Sequence, residues 1–334
     1  MTYDNFLNYI VNTFQMKLGP DSNVRIQKVI KNNNVHLEAL TISREDEFAA
    51  PSIYLNGYYE EYEQGKPLGN IVADISDVYD YSRTSFHINS EDIVDFNRAS
   101  RLIAYKLINA RDNEDYLASV PHIPYHDLAI VFYLLLEGAD HENATAVITT
   151  RHMNMWGSNL DALFDLACAN TPRLLKPVFM PLRDMLRELL LEDLRKQASD
   201  ARLHEDLPED CELSEETLDG LADSMLVDLC GPPGEIDMYC ISNDRRLNGA
   251  AAILYPGFMK EVSLKLGGSY YLLPCSIHEM IALKDDKDID PIALENMVVE
   301  INNKEVAQTD KLSDTIYYYD AERDSIKQLS ALQA

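Results

Sequence analysis

The densest run of chemistry-bearing side chains is Pro274-Cys275-Ser276-Ile277-His278-Glu279, which sets a thiol, a hydroxyl, an imidazole and a carboxylate within six residues. Such a set could serve a hydrolase, with Ser276 or Cys275 as nucleophile, His278 as base and Glu279 in support. Nearness in sequence is not pairing. On an extended strand Ser276 and His278 share a face while Glu279 points away. The zinc-protease spacing is absent, because Ala282 stands where a second histidine belongs. The segment is therefore expected to be a structural turn whose polar side chains satisfy backbone groups, with catalysis by Ser276, His278 and Glu279 as the alternative.

Other candidates are sparser. His122 and His126 have the i, i+4 spacing that chelates a metal from a helix, with Asp127 adjacent, but Pro121 and Pro124 argue against a helix. On an extended segment the two imidazoles would stand about 13 Å apart, at about 3.3 Å per residue. No metal is expected there. His141-Glu142 reads as loop. Arg245 and Arg246, in Asn243-Asp244-Arg245-Arg246, read as a turn that either binds an anion or makes local ion pairs. Tyrosine outnumbers phenylalanine, 19 to 9, and clusters at Tyr58-Tyr59-Tyr62, Tyr79-Tyr81, Tyr270-Tyr271 and Tyr317-Tyr318-Tyr319. Rings with wet hydroxyls suit a protein contact or half-buried strands. A binding surface made of Tyr58, Tyr59, Tyr62, Arg245 and Arg246 follows as an expectation. No glycine-rich phosphate loop, dinucleotide fingerprint or nucleophile elbow occurs, so no cofactor is expected.

The elements that must position these residues alternate without a regular βαβ rhythm. Phe6, Leu7, Ile10, Val11 and Phe14 predict a helix ended by Gly19-Pro20. Alternation at 24–27 and 35–39 about Lys31 to Asn34 predicts a hairpin. A helix is expected over 68–81, with Ile71, Ile75 and Val78 inward. Strands are expected at 102–110, 127–136 and 144–149, then a helix capped at Ser158 with Leu160, Leu163, Phe164 and Ala167 inward. Another helix follows Pro181, with Glu192 paired to Lys196. Strands at 238–241, 250–254 and 270–273 enclose a helix from Pro256. A helix starts at Asp290-Pro291 with Leu294, Met297, Val298 and Ile301 inward, and a closing hairpin joins 317–319 to 326–329. The fold class is α+β, with antiparallel or mixed sheets and interspersed helices in two closely packed lobes, 1–115 and 116–334.

The chain has 334 residues, 46% of them apolar, enough for a substantial core. Its 56 acidic against 29 basic side chains give a net charge of −27, which repels nucleic acid and anionic lipid. Fourteen acidic and four basic residues fall between Arg187 and Asp228, a solvated face or, more sharply, a nucleic-acid-mimicking surface. The longest apolar run, Leu128 to Leu136, is too short to span a bilayer. Cys168, Cys211, Cys230, Cys240 and Cys275 form no CxxC pair, and the first residues lack a secretory signal pattern, so a reducing, cytoplasmic setting is expected.

Several segments carry a resemblance: Lys31-Asn32-Asn33-Asn34, Tyr54-Leu55-Asn56-Gly57-Tyr58-Tyr59, Val120-Pro121-His122 with Asp127-Leu128-Ala129, Asn248-Gly249-Ala250-Ala251, and Leu272 to Glu279. Taken in order, from about residue 5 to 300, the chain resembles an uncharacterised family of unknown function from anaerobic Gram-positive bacteria. Cys275 stands where that pattern usually has serine. The resemblance implies no activity. The expected function is a non-catalytic interaction or regulatory protein with a protein partner. A hydrolase built on Cys275, Ser276, His278 and Glu279 is the alternative, and an acidic nucleic-acid mimic the third reading.

Overall fold

The computed structural model describes residues 1–44, 52–85, 91–137, 143–203, 214–231, 238–286 and 289–329. His141, Glu142 and Cys211 lie outside them. Helices are interspersed with antiparallel sheets, an α+β architecture as expected. The chain divides into two compact units, Met1–Leu174 with Ala307–Lys311, and Leu175–Val306 with Leu312–Ala334. A boundary at residue 115 would part strands that pair across it.

The first unit opens with α1 (Tyr3–Leu18), where Phe6, Ile10 and Phe14 recur every fourth residue and are buried along one face. Strands β1 (Ser22–Ile30) and β2 (His36–Arg44) form the expected hairpin, and β3 (Ser52–Tyr54) joins β2. Next come α2 (Asn56–Glu63) and α3 (Leu68–Ser85). Ile71, Ile75 and Tyr79 of α3 close the core over Val24, Leu40 and Ile42. Val78, at the edge of that arc, is exposed.

Two short helices, α4 (Glu91–Val94) and α5 (Phe96–Ala99), lead to a second sheet. It comprises β4 (Ile103–Asn109), then, after α6 (Glu114–Leu117), β5 (His122–Tyr125), β6 (Leu128–Glu137) and β7 (Asn143–Val147). One side of β6 pairs with β4, and the other pairs with β5 and β7 in tandem. The unit ends with α7 (Thr150–Met155) and α8 (Leu160–Leu174). Asn159, rather than Ser158, holds the start of α8, its Oδ1 accepting the Ala162 N–H at 2.9 Å.

The second unit begins with β8 (Pro177–Pro181), which runs into α9 (Leu182–Leu203). Helix α10 (Glu215–Cys230) packs against α9 through Leu191, Leu218 and Ala222. Arg187 bridges Asp219 and Asp223 at 2.8 and 2.6 Å, and Arg195 bridges Glu215 at 2.7 Å, so part of the acidic stretch is neutralised along this seam. Next is β9 (Met238–Asn243). Residues Gly249–Leu254 form a buried 3₁₀ turn where a strand was expected. The unit continues through α11 (Phe258–Leu266), β10 (Tyr270–Pro274), β11 (Met280–Lys284), α12 (Pro291–Lys304), β12 (Ile316–Asp320) and β13 (Ser325–Leu329). The sheet is antiparallel in the order β13-β12-β10-β11-β9-β8. Asp290 caps α12, whose buried residues are Leu294, Val298 and Asn302, with Met297 packed beside them and Ile301 exposed.

Candidate functional site

The Cys275–Glu279 segment is the turn that reverses β10 into β11. Ser276 Oγ donates to Glu279 Oε1 at 2.6 Å and accepts the His278 backbone N–H at 3.0 Å. The turn thus brings Ser276 to Glu279, three residues on, a contact that an extended reading hides. His278 points elsewhere: its Nδ1 lies 3.0 Å from the Arg246 carbonyl oxygen and 3.2 Å from the Asn248 backbone nitrogen. The hydroxyl proton of Ser276 is directed to a carboxylate, and Nδ1 of the imidazole is directed to backbone.

The partner of this turn is the segment that follows β9. Asn243 organises it, its Nδ2 donating to the Leu247 carbonyl at 2.8 Å and its Oδ1 accepting the N–H groups of Arg245 and Leu247. Arg246 (φ 48°) and Asn248 (φ 52°) occupy the left-handed region, uncommon for a side chain the size of arginine. Ser242 Oγ donates to the His278 carbonyl at 2.8 Å, and Ala250 N–H donates to that of Ile277 at 3.2 Å. Gly249 is required by close approach: a Cβ there would stand 2.1 Å from Ser242 Oγ and 2.4 Å from the His278 carbonyl oxygen.

Alongside lies a cleft of about 520 Å³ walled by β8, the first turns of α9 and residues 240–246. Val178, Met180, Met185, Leu189 and Cys240 give it an apolar floor, while Glu188, Glu192, Asp244, Arg245 and Arg246 supply charge. Cross-strand register sets Met180 directly opposite Cys240. Arg246 spans two carboxylates on one face of α9, Glu188 at 2.7 Å and Glu192 at 2.8 Å. Glu192 therefore faces Arg246, not Lys196 as helical spacing suggested.

Neither thiol of this region is activated. Burial, with Glu279 and then Cys240 nearby, pushes the Cys275 thiol up to about 12. Burial and Glu279 push Cys240 up to about 12, with Arg246 opposing. A nucleophilic cysteine needs the reverse, a thiolate favoured near neutral pH.

The remaining sequence candidates are dispersed. Tyr58, Tyr59 and Tyr62 pack against the core of the first unit, and the Tyr59 ring lies 4.8 Å from Tyr3 and 5.4 Å from Phe6. Tyr270 stacks on Tyr319 at 4.9 Å and donates its hydroxyl proton to the Met259 carbonyl. His122 lies on β5, and His126 follows that strand in a positive-φ turn (φ 55°). Among the described residues no three His, Cys, Asp or Glu side chains gather as metal ligands, and no helix is long and apolar enough to cross a membrane. The cleft itself escaped sequence reasoning. Its only trace was the Arg245-Arg246 pair, since no apolar–polar alternation marks 177–181 as a strand.

Residues 3–321 match DUF5688, a family of unknown function. No curated protein and no solved structure matches the chain.

Proposed function

Taking as premise that the chain belongs to this family of unknown function, we propose that it is a non-catalytic regulatory protein that binds a peptide segment of a partner in the cleft beside Arg246. The observation that carries this reading is the division of labour at the site. Ser276 gives its proton to Glu279, while His278 Nδ1 and Ser242 brace the backbone, so among the described residues the serine is not paired with the imidazole Nδ1 as the hydrolase reading requires, whereas the adjoining cleft is open, floored with apolar side chains and rimmed with charge. The left-handed conformation of Arg246, braced by His278, supports the same view, because strained residues persist where the surroundings hold them for use.

The cleft chemistry indicates the peptide. Glu188, Glu192 and Asp244 outnumber Arg245 and Arg246 on the rim and so favour a basic side chain, and the floor of Val178, Met180 and Met185 takes an apolar neighbour. Free thiols at Cys168, Cys240 and Cys275 support a reducing, cytoplasmic setting. Selection from a displayed peptide library tests the reading. Enriched peptides should pair a basic with an apolar residue and bind the Glu188→Lys/Glu192→Lys variant at least tenfold more weakly. Enriched peptides lacking that pattern, or binding both proteins equally, overturn it.

A further inference from the structure

Lys106 occupies the middle of β4, in a run that is otherwise buried. Its face of the sheet is apolar at close range: Ala104 and Ile108 flank it on the strand, and Val131 of β6 stands directly opposite. Beyond Val131 in the same row is His122 of β5. Among the described residues the Lys106 side chain has no hydrogen bond and no ion pair. Its charged neighbour is another cation, Lys31, at the head of the turn Asn32–Asn34 that abuts β4.

That turn is fixed in place. Asn33 N–H donates to Asn113 Oδ1 at 2.8 Å, and Asn113 Nδ2 returns a bond to Asn33 Oδ1 at 2.9 Å. Asn33 Nδ2 also donates to the carbonyls of Gln308 and Lys311. The clasp holds Lys31 in the neighbourhood of Lys106, with the Lys31 ammonium 4.2 Å over the Tyr54 ring and, among the described residues, no carboxylate bound to it. Burial, then the charge of Lys31, lowers Lys106 to about 8. Buried ammonium groups are normally paired, and in this chain carboxylates outnumber cations.

We propose that Lys31 and Lys106 hold a phosphate-type dianion on this face of the sheet. Two ammonium groups match two negative charges, and the asparagine clasp sets one of them before the ligand arrives. The site lies in the first unit and is independent of the cleft. Inorganic phosphate titrated calorimetrically into the full chain, at constant ionic strength, tests it, with acetate as the monoanionic comparison. Saturable binding of one phosphate per chain is expected, with acetate at least tenfold weaker. Lys106→Met should weaken phosphate at least tenfold and Lys31→Met several-fold, while Lys106→Arg should retain it. Lys106→Met substitutes an uncharged stem of similar shape, so folding is preserved, and circular dichroism verifies this. Absence of saturable binding, or equal phosphate affinity in wild type and Lys106→Met, overturns the proposal.

Discussion

Replacing Lys106 by methionine should stabilise the ligand-free protein, an unusual outcome for a change inside a buried strand. The ammonium is lowered from 10.5 to about 8, first by burial and then by Lys31. At about 1.4 kcal/mol for each pH unit, keeping it charged in the fold costs about 3 kcal/mol at pH 7. Methionine follows much of the same path among Ala104, Ile108 and Val131, so little cavity opens against that gain. The sign with pH is definite. Below about 8 both states hold the proton and the full penalty is present. Between about 8 and 10.5 the folded chain releases a proton that the unfolded chain keeps, so wild-type stability rises relative to the variant. Other titrating groups on the surrounding elements, Lys31, His122, Tyr116 and Tyr133, are common to both proteins and cancel in the difference unless they couple to position 106. Urea unfolding at pH 7, 8, 9 and 10, with equal m values, should show the variant ahead by about 3 kcal/mol at pH 7 and the gap closing toward pH 10.5. A gap below about 0.5 kcal/mol, or one that ignores pH, would refute the reasoning and place the ammonium in water.

Gly249→Ala should lower stability by about 2 to 3 kcal/mol, because the new methyl meets Ser242 Oγ and the His278 carbonyl; thermal unfolding checks this, and adding Ser242→Ala should restore only part of it. Cys275 should resist iodoacetamide at pH 7.5 until the protein is unfolded, since burial holds its thiol protonated; mass spectrometry showing prompt native labelling would contradict this. Asp320 is held well below the carboxylate range by Lys327 and Arg323. Its contribution is therefore full above the unfolded value near 3.8 and is lost as pH falls toward the lower folded one. Asp320→Asn should flatten the acid limb of a stability–pH curve and leave its neutral-to-alkaline slope unchanged.

Much of the fold was legible where one periodicity dominated. Phe6, Ile10 and Phe14 announced α1, the alternation about Asn32–Asn34 announced the first hairpin, and Asp290-Pro291 marked the start of α12. Strands β5 and β8 were not legible. Pro124 argued only against a helix and 177–181 suggested no element, yet both segments are strands at sheet edges, where proline is tolerated. The segment 250–254 looked like a strand because alanine, isoleucine and leucine follow one another, but the left-handed Asn248 and the tight seat of Gly249 coil it into a 3₁₀ turn. At the candidate site the sequence named Ser276, His278 and Glu279 without their pairing. Only a turn brings residue 276 to 279 while sending 278 to the backbone of 246–248.

Charge placement joins these observations. With 56 carboxylates for 29 basic side chains, any cation in this chain has partners to spare. Arg187, Arg195, Arg246 and Arg323 each meet at least one carboxylate, two of them in a bridge between separate acidic residues. The isolation of Lys31 and Lys106 is therefore a matter of position, not of supply. A leucine at 106 would pack against Val131 with no desolvation penalty, and an acid at 122, two strands across, would have relieved it. A bound dianion supplies the missing charge and turns the penalty into affinity, because the Lys106 ammonium is already desolvated when the ligand arrives. The ligand-free protein should then be least stable where it binds best, so phosphate should raise the unfolding temperature of wild type and leave that of Lys106→Met unmoved.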